Sequence, residues 1–522
     1  MRSIQNPQMR LGQVAIADIE IDLKSRDDIP PILLGLQHIY TNPELRERVF
    51  AFLEQVIPTR CGSGLTEAER KQFADPSRGR PGMEQWNILV LGVLRLGLNT
   101  DYDRIHDLAN HHRTIRQMLG HSDWCDETQY SLQRIKDNLK LFTPELFDQI
   151  NQEVVSAGHA LVKKSPNVGP TGHTKANAVA SPEHTPSLRG RCDSFVVETD
   201  VHFPTDINLL YDAIRKAIEA SHAFAQHYEL PGWRQYQYTL KQFKKQYRKV
   251  QTLKRSSAKD EQKITDREQL LKSEHQAYMA LATEILEKSE HTLQQVLCRG
   301  ARADETATLQ TYHAYAHTFV DQIERRVIRG ETIPHDEKIF SIFQPHTEWI
   351  SKGKAGVPVE LGLRVCVMED QHRFILHHQV MEKQTDDKVA VEMVTETRKR
   401  FPELTMTSFD KGFHSPHNQN ELKAHLEQVI LPKKGRLSAA DKAREGSDAF
   451  KKLRHQHAAV ESAINALEQN GLDICPDHGI DGFKRYVALA VVSRNIKRLG
   501  AILRQQAQEQ EERKRGSYKK AA

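Results

Sequence analysis

Cysteine is scarce and scattered in this chain of 522 residues. The sequence contains six cysteines, and no two of them form a Cys-x-x-Cys pair: Cys61, Cys125, Cys192, Cys298, Cys366 and Cys475. This pattern argues against a disulfide framework and against a cysteine-based zinc site, and it favours a reducing compartment. Cys475 and His478 have Cys-x-x-His spacing, but no second pair accompanies them, so we do not expect zinc there either.

Long apolar runs are missing as well, and the charge is nearly balanced. No stretch approaches the roughly 20 apolar residues of a membrane span, and the opening MRSIQNPQMR lacks the apolar core of a signal peptide. We therefore expect a soluble, cytoplasmic protein. The formal net charge of +5 favours an anionic partner only weakly, so the distribution of charge is more informative than its sum.

Helical periodicity dominates the N-terminal third and a long second segment. Residues 1–165 predict a helical region, and residues 166–188, rich in Pro, Gly, Ser and Thr, predict a linker. Residues 206–335 predict a helical, coiled-coil-like insertion, and residues 506–522 a basic, disordered tail.

Strand patterns occur in the two remaining segments, 189–205 and 336–505. Runs rich in β-branched residues predict strands at 187–199, 338–343, 358–368, 373–381, 404–409 and 428–431. Helical patterns accompany the later strands, at 386–401, 415–426, 450–470 and from 483, and residues 433–449 predict a basic, mobile loop. This order predicts an α/β fold with a mixed sheet flanked by helices.

Two short helices joined by an Asn-His-His turn are predicted within residues 100–121. Such a pair is typical of a helix-turn-helix, whose second helix would present Arg113, Arg116 and Gln117 to DNA. An ordinary helical hairpin explains the same pattern, so the residues alone leave both interpretations open.

Positive charge is concentrated within the predicted insertion. Residues 241–272 carry eleven Lys and Arg against four Asp and Glu. Aromatic residues lie close by: Trp233, Tyr236, Tyr238, Phe243 and Tyr247. Basic residues interleaved with aromatics can follow a phosphate backbone, with Lys244, Lys245 and Arg248 as candidate contacts. The alternative is the solvated face of an antiparallel coiled coil with the aromatics in its seam, and the two interpretations are compatible.

Three carboxylates occupy positions where an α/β sheet usually carries its chemistry. Asp193 lies in the first strand of the predicted sheet, Asp410 directly follows the strand 404–409, and Glu461 lies on the helix after the basic loop. Hard oxygen ligands of this kind hold the two Mg²⁺ ions of phosphoryl-transfer sites, for which Mn²⁺ can substitute. Asp200 follows Asp193 on the opposite face of the strand and is the alternative first carboxylate.

Polar residues surround these carboxylates in the sequence. Arg454, His457, Glu461 and Asn465 share one face of the predicted helix, which places Glu461 beside groups that can contact a DNA phosphate. A surface glutamate with solvated polar neighbours is the alternative. Two lysines near glycines are further candidate phosphate contacts: Lys354 and Lys411.

Together these segments resemble the DDE transposases of bacterial insertion sequences. The resemblance rests on the order of an Asp in a strand, Asp-Lys-Gly-Phe at a strand end and Val-Glu-Ser-Ala-Ile-Asn in a helix. Two phrases, GRPGMEQWNILVLGVLRLGLNTDYDRIHDLAN and RCDSFVVETDVHFPTD, are most similar to the ISNCY group. The similarity spans roughly residues 30–505.

The resemblance implies an RNase H-like catalytic domain in the strand-bearing segments and DNA binding by the N-terminal helical region. It implies that Asp193, Asp410 and Glu461 are catalytic metal ligands. It also implies double-stranded DNA as partner (the terminal inverted repeats of an element and its target), a homodimer or higher oligomer, and association with the nucleoid. An RNase H-like nuclease without strand transfer and an inactive, transposase-derived DNA-binding protein are the alternatives.

Overall fold

The chain forms two units in a computed structural model, which describes residues 3–6, 8–56, 82–124, 126–164, 187–255, 261–351 and 358–521. Unit 1 comprises Met1–Asp200 and Gly362–Ala522, and unit 2 comprises Val201–Leu361. Most of the predicted linker 166–188 lies outside the described residues. Unit 1 contains the predicted N-terminal helical region and most of the predicted sheet, while the strand Glu348–Ser351 falls in unit 2.

The N-terminal half of unit 1 is helical, as its periodicity predicts. Its described helices are α1 (Ile29–Thr41), α2 (Pro43–Gln55), α3 (Gln85–Gly97), α4 (Tyr102–His111), α5 (Arg113–Met118), α6 (Leu132–Leu139) and α7 (Pro144–Lys164). Every residue of α3 is buried, which fits its apolar sequence WNILVLGVL. These helices share one hydrophobic core with the sheet. The N-terminal region is therefore continuous with the sheet in its packing.

The last helix, α17 (Gly479–Ala521), packs along α1, α3 and α7. It crosses α1 in backbone contact, because a Cβ built at Gly500 would lie 1.7 Å from the carbonyl oxygen of Pro31. The predicted disordered tail is wrong in this respect, since the helix continues to Ala521. None of the described helices combines the length and the apolarity needed to cross a membrane.

Seven described strands form one mixed sheet, which confirms the predicted α/β class. They are β1 (Leu188–Thr199), β2 (Glu348–Ser351), β3 (Val359–Asp370), β4 (Ile375–Met381), β5 (Leu404–Phe409), β6 (Gln428–Ile430) and β7 (Ile474–Cys475). The order is β2-β3-β1-β5-β6, with β4 paired to β3 and β7 to β1. β1 is antiparallel to β3 and parallel to β5. β4 is antiparallel to β3, and β6 is parallel to β5.

Five shorter helices accompany the later strands. They are α12 (Asp386–Arg400), α13 (Pro416–His425), α14 (Ala439–Gly446), α15 (Asp448–His457) and α16 (Ala459–Leu467). The prediction of a loop over 433–449 is wrong, because α14 forms there. Ser438 and Asp441 cap its N-terminus reciprocally, which satisfies two backbone N–H groups at the start of the helix. The strand predicted at 338–343 is also wrong, and the strand in that region is β2.

Unit 2 is built from α8 (Asp206–His227), α9 (Tyr236–Arg255), α10 (Glu261–Cys298) and α11 (Ala303–Ile323). α8 packs against each of the other three, so these helices form a bundle rather than a two-stranded coil. The core of the bundle contains Trp233, Phe243, Tyr278 and Phe319, all of them buried.

Candidate active site

Asp193 and Asp410 occupy neighbouring positions on two parallel strands. The register of β1 with β5 ends at the pair Cys192 and Phe409, and the two aspartates are the next residues on either side. Asp410 therefore stands at the carboxyl end of β5, where the chain leaves the sheet in a short turn. β1 continues past this point, held by β3, and so carries Asp193 in mid-strand. Carboxyl ends of parallel strands are where such sheets bind ligands.

Asp200 lies elsewhere. It directly follows β1, seven residues after Asp193, which corresponds to roughly 23 Å of extended strand. Its backbone N–H donates to the carbonyl oxygen of Cys475 on β7. Of the two candidates for the first carboxylate, the structure places only Asp193 beside Asp410.

The environment of Asp193 disfavours its negative charge. Burial raises its pKa to about 7, and the carboxylates of Asp410, Asp386 and Glu461 contribute in that order. The backbone N–H of Ser194 opposes the shift by donating to Asp193 Oδ1 at 2.8 Å. All three charged neighbours that raise the pKa are carboxylates, so negative charge accumulates here.

Asp386 is a fourth carboxylate, which the sequence did not single out. It is the first residue of α12, and Ser194 Oγ donates to its Oδ1 at 2.6 Å. In the sequence it resembles any acidic residue in the first turn of a helix. Its relation to Asp193 depends on the arrangement of α12 over the sheet, which no local pattern encodes.

Glu461 lies on α16 and is exposed. The continuous helix predicted over 450–470 is wrong, because the helix is interrupted at Ala458, between the end of α15 and the start of α16. α15 packs on β5 and α16 packs on β1. The predicted shared face is therefore interrupted, with Arg454 and His457 before the break and Glu461 after it.

His457 is turned into the protein. Its Nδ1 lies 3.0 Å from Ser408 Oγ on β5. Burial lowers its pKa to about 4, and Arg191 and Arg454 contribute while Asp410 opposes them. At neutral pH the imidazole is therefore uncharged, which makes it a poor phosphate contact, and its contact with Ser408 links α15 to the sheet. Lys411, which follows Asp410 in the chain, and Arg454 are exposed.

The donor chemistry suits Mg²⁺, which prefers carboxylate oxygens. Asp193 and Asp410 are adjacent, and Asp386 and Glu461 are close enough to shift the pKa of Asp193. Within the described residues, however, no three Asp, Glu, His or Cys side chains are gathered closely enough to hold a metal ion. The residues thus fit a divalent cation in type, while their side chains are not assembled into a coordination sphere.

The two predicted contacts on α5 differ in accessibility. Arg116 donates from Nη1 to the carbonyl of Thr128 and from Nη2 to that of Asp126, each at 3.0 Å, and its side chain is only 15% exposed. It holds the loop after α5, which argues against a role in DNA contact. The Arg113 side chain is 79% exposed and pairs with Asp123 at 2.8 Å. Gln117 is buried and donates to the same carboxylate.

Unit 2 presents the predicted basic residues on one face of α9. Lys244, Lys245 and Arg248 are exposed, while Phe243 and Val250 on the opposite side are buried. With their neighbours they line a groove of about 760 Å³: Lys241, Gln242, Lys249, Thr252, Leu253, Leu270 and Glu274.

The nearby aromatics belong mainly to the core of the bundle. Phe243 stacks on Tyr211 and Tyr278 at centroid distances of 5.8 and 4.9 Å. Trp233 is buried, and its indole N–H donates to Thr292. Of the five aromatics near the basic stretch, Tyr238 is the one that stands among the exposed large side chains of the described residues. The basic face therefore offers charge rather than an array of stacking platforms.

Lys354 lies outside the described residues.

No family model, no curated protein and no solved structure matches this chain.

Proposed function

We propose that this protein is a transposase of the DDE type, which binds the terminal repeats of an insertion sequence and cuts and joins DNA with divalent metal. The observation that carries the proposal is the adjacency of Asp193 and Asp410 at the end of a parallel strand pair, with Glu461 within electrostatic range. The strand order supports it, because β1 lies between the antiparallel β3 and the parallel β5, as an RNase H-like domain requires. The sequence resemblance to the ISNCY group points the same way.

Asp193, Asp410 and Glu461 are the residues that would hold Mg²⁺. Two such ions, if bound there, would supply activation of a water or a 3′-hydroxyl and stabilisation of charge on the reacting oxygens of a phosphodiester. The carboxylates' own part is to concentrate negative charge where the scissile phosphate must be brought. Since that charge would repel DNA, nearby cations must draw the backbone in.

Exposed cations that could contact a phosphate backbone are present in each unit. Lys411 follows Asp410 directly, and Arg454 lies on α15 near the carboxylates. In unit 2, the basic face of α9 offers Lys244, Lys245 and Arg248 to a phosphate backbone. Joining two element ends at one target requires two sites to act together, so we expect a homodimer or higher oligomer.

The first test uses the DNA that flanks the coding sequence as substrate. Purified protein with Mg²⁺ should nick this DNA at the element ends. Asp193→Asn, Asp410→Asn and Glu461→Gln should each abolish nicking while DNA binding persists, because they remove metal ligands and not DNA contacts. Asp200→Asn is the matched control and should cut like the wild type.

Three outcomes would contradict parts of the proposal. End-specific cuts without joining to a target plasmid would indicate a nuclease without strand transfer. Tight binding to the ends without any cleavage would indicate an inactive, transposase-derived DNA-binding protein. Cleavage that survives Asp193→Asn and disappears in Asp200→Asn would transfer the role of the first carboxylate to Asp200.

A further inference from the structure

Asp386 connects the two segments that carry Asp193 and Asp410. Its Oδ1 accepts a hydrogen bond of 2.6 Å from Ser194 Oγ, and Ser194 directly follows Asp193 in β1. Its Oδ2 lies so close to Gly412 that a Cβ built there would be 2.9 Å away, and Gly412 is two residues after Asp410. The Asp386 carboxylate thus contacts both segments: Oδ1 contacts the one that carries Asp193, and Oδ2 the one that carries Asp410.

Stabilisation of the helix N-terminus does not account for these contacts. An acidic side chain in the first turn favours a helix, but α12 begins with two of them, Asp386 and Asp387. Asp387 remains with its own helix, where its Oδ1 accepts a hydrogen bond of 2.6 Å from the hydroxyl of Thr385. The contacts to Ser194 and Gly412 distinguish Asp386 from its neighbour.

Gly412 gains a physical explanation from the same geometry. The Asp-Lys-Gly-Phe turn brings its third residue against the Asp386 carboxylate, where a side chain would displace Oδ2. A larger residue would therefore move the Asp386 carboxylate away from the turn after Asp410. The glycine leaves room for the close approach of Asp386, and its backbone angle does not explain it, since its φ is not positive.

We propose that Asp386 is a positioning residue of the candidate active site: by holding Ser194 and the turn at Gly412 it fixes the spacing of Asp193 and Asp410, and so strengthens the binding of a divalent cation by these two carboxylates. The inference rests on the proposed function for the location of the cation. Groups that orient metal ligands in this way typically change metal affinity by about 10–100-fold. The negative charge of Asp386 acts in the same direction, because it increases the local attraction for a cation.

The test measures cation binding directly, without DNA. Mn²⁺ is titrated calorimetrically into the full-length chain, and the wild type is compared with Asp386→Asn, Ser194→Ala and Asp387→Asn. We expect Asp386→Asn to weaken Mn²⁺ binding about 10–100-fold, and Ser194→Ala to weaken it to a smaller degree. Asp387→Asn removes the same charge from the same helix turn, and it should leave the affinity within about twofold of the wild type.

Gly412→Ala keeps every charge and changes only the position of the Asp386 carboxylate. It should weaken Mn²⁺ binding as well, which a purely electrostatic effect of Asp386 would not produce. Thermal unfolding of each variant in EDTA separates loss of the site from loss of the fold. If Asp386→Asn is unfolded, Ser194→Ala and Gly412→Ala decide the question in its place.

The proposal is overturned if the folded Asp386→Asn and Asp387→Asn variants bind Mn²⁺ with the wild-type affinity, or if both weaken it equally. These results are separable from the test of function. An Asp386-dependent affinity in a protein that never cuts DNA would leave the positioning role standing and remove the transposase. Suppose instead that cleavage depends on Asp193, and that Asp386→Asn leaves the Mn²⁺ concentration needed for cleavage unchanged. The transposase would then stand, and the positioning role of Asp386 would be removed.

Discussion

At the scale of single residues, Asp193 makes the stability of the metal-free protein depend on pH. Its pKa in the folded state is about 7, against 3.8 for an ordinary aspartate. Well below pH 3.8 the carboxyl is protonated in both the folded and unfolded states and has no effect. As the pH rises towards 7, the unfolded state ionises first, so the free energy of unfolding falls, by roughly 4 kcal/mol at most.

Asp193→Asn should remove this dependence. In EDTA at pH 7.5 the variant should unfold at a higher temperature than the wild type, and the difference should shrink as the pH falls and disappear well below pH 3.8. Addition of Mg²⁺ should stabilise the wild type and not the variant, since a ligand that binds only the folded state raises its stability. Asp200→Asn, at an exposed position, serves as control. A wild type more stable than Asp193→Asn at pH 7.5 in EDTA would contradict the prediction.

At the scale of elements, strands and helices with a clear hydrophobic pattern could be predicted from the sequence. The pairing of those strands and the packing of those helices could not. The strand 404–409 was predicted with its observed bounds, because its β-branched, apolar sequence ends abruptly at Asp410. The choice of Asp193 over Asp200 needed the register of β1 against β5, which is a contact between strands distant in sequence. The break at Ala458 was invisible, because alanine is a strong helix former and nothing local stops the helix.

The crossing of α1 and α17 is an element-scale feature that can be tested by adding one methyl group. A Cβ at Gly500 would meet the carbonyl oxygen of Pro31 at 1.7 Å, and one at Gly35 would meet that of Ile496 at 2.3 Å. Backbone cannot yield as a flexible side chain does, so Gly500→Ala must push the helices apart. We expect it to destabilise unit 1 by about 1–3 kcal/mol or more.

Gly446→Ala is the matched control for this substitution. Gly446 is the last residue of α14, and a Cβ there would have no atom of the described residues within 4 Å. Alanine should be neutral there or stabilise by up to about 1 kcal/mol through its helix propensity. Thermal unfolding of both variants gives the comparison. Equal midpoints for Gly500→Ala and Gly446→Ala would mean that the two helices do not pack in backbone contact.

At the scale of the whole molecule, the small net charge of +5 conceals a strong local asymmetry. Unit 1 contains a cluster of carboxylates around Asp193, whereas unit 2 presents a basic face on α9. Neither feature alone would distinguish this chain from many others of similar composition. Together they are what a DNA-cutting protein needs, namely cations to hold the backbone and carboxylates to hold the metal.

The basic face predicts a specific dependence of DNA binding on salt. Each lysine or arginine that neutralises a phosphate releases a counterion, and this adds about 0.9 to the slope of log affinity against log salt. Replacement of Lys244, Lys245 and Arg248 together by Gln should therefore reduce the magnitude of that slope by about 2 to 3. The loss should be similar for element ends and unrelated duplexes, because backbone contacts carry no sequence information.

A triple variant of the paired cations Lys216, Arg302 and Arg329 is the control in the same unit. Each of them is already within 3.3 Å of a carboxylate oxygen, so it has less charge to offer a phosphate. Their replacement by Gln should leave the salt slope unchanged within about 0.5. An equal loss of slope in the two triple variants would show that overall charge, and not the face of α9, governs binding. An unchanged slope in the first would show that the face of α9 does not contact DNA.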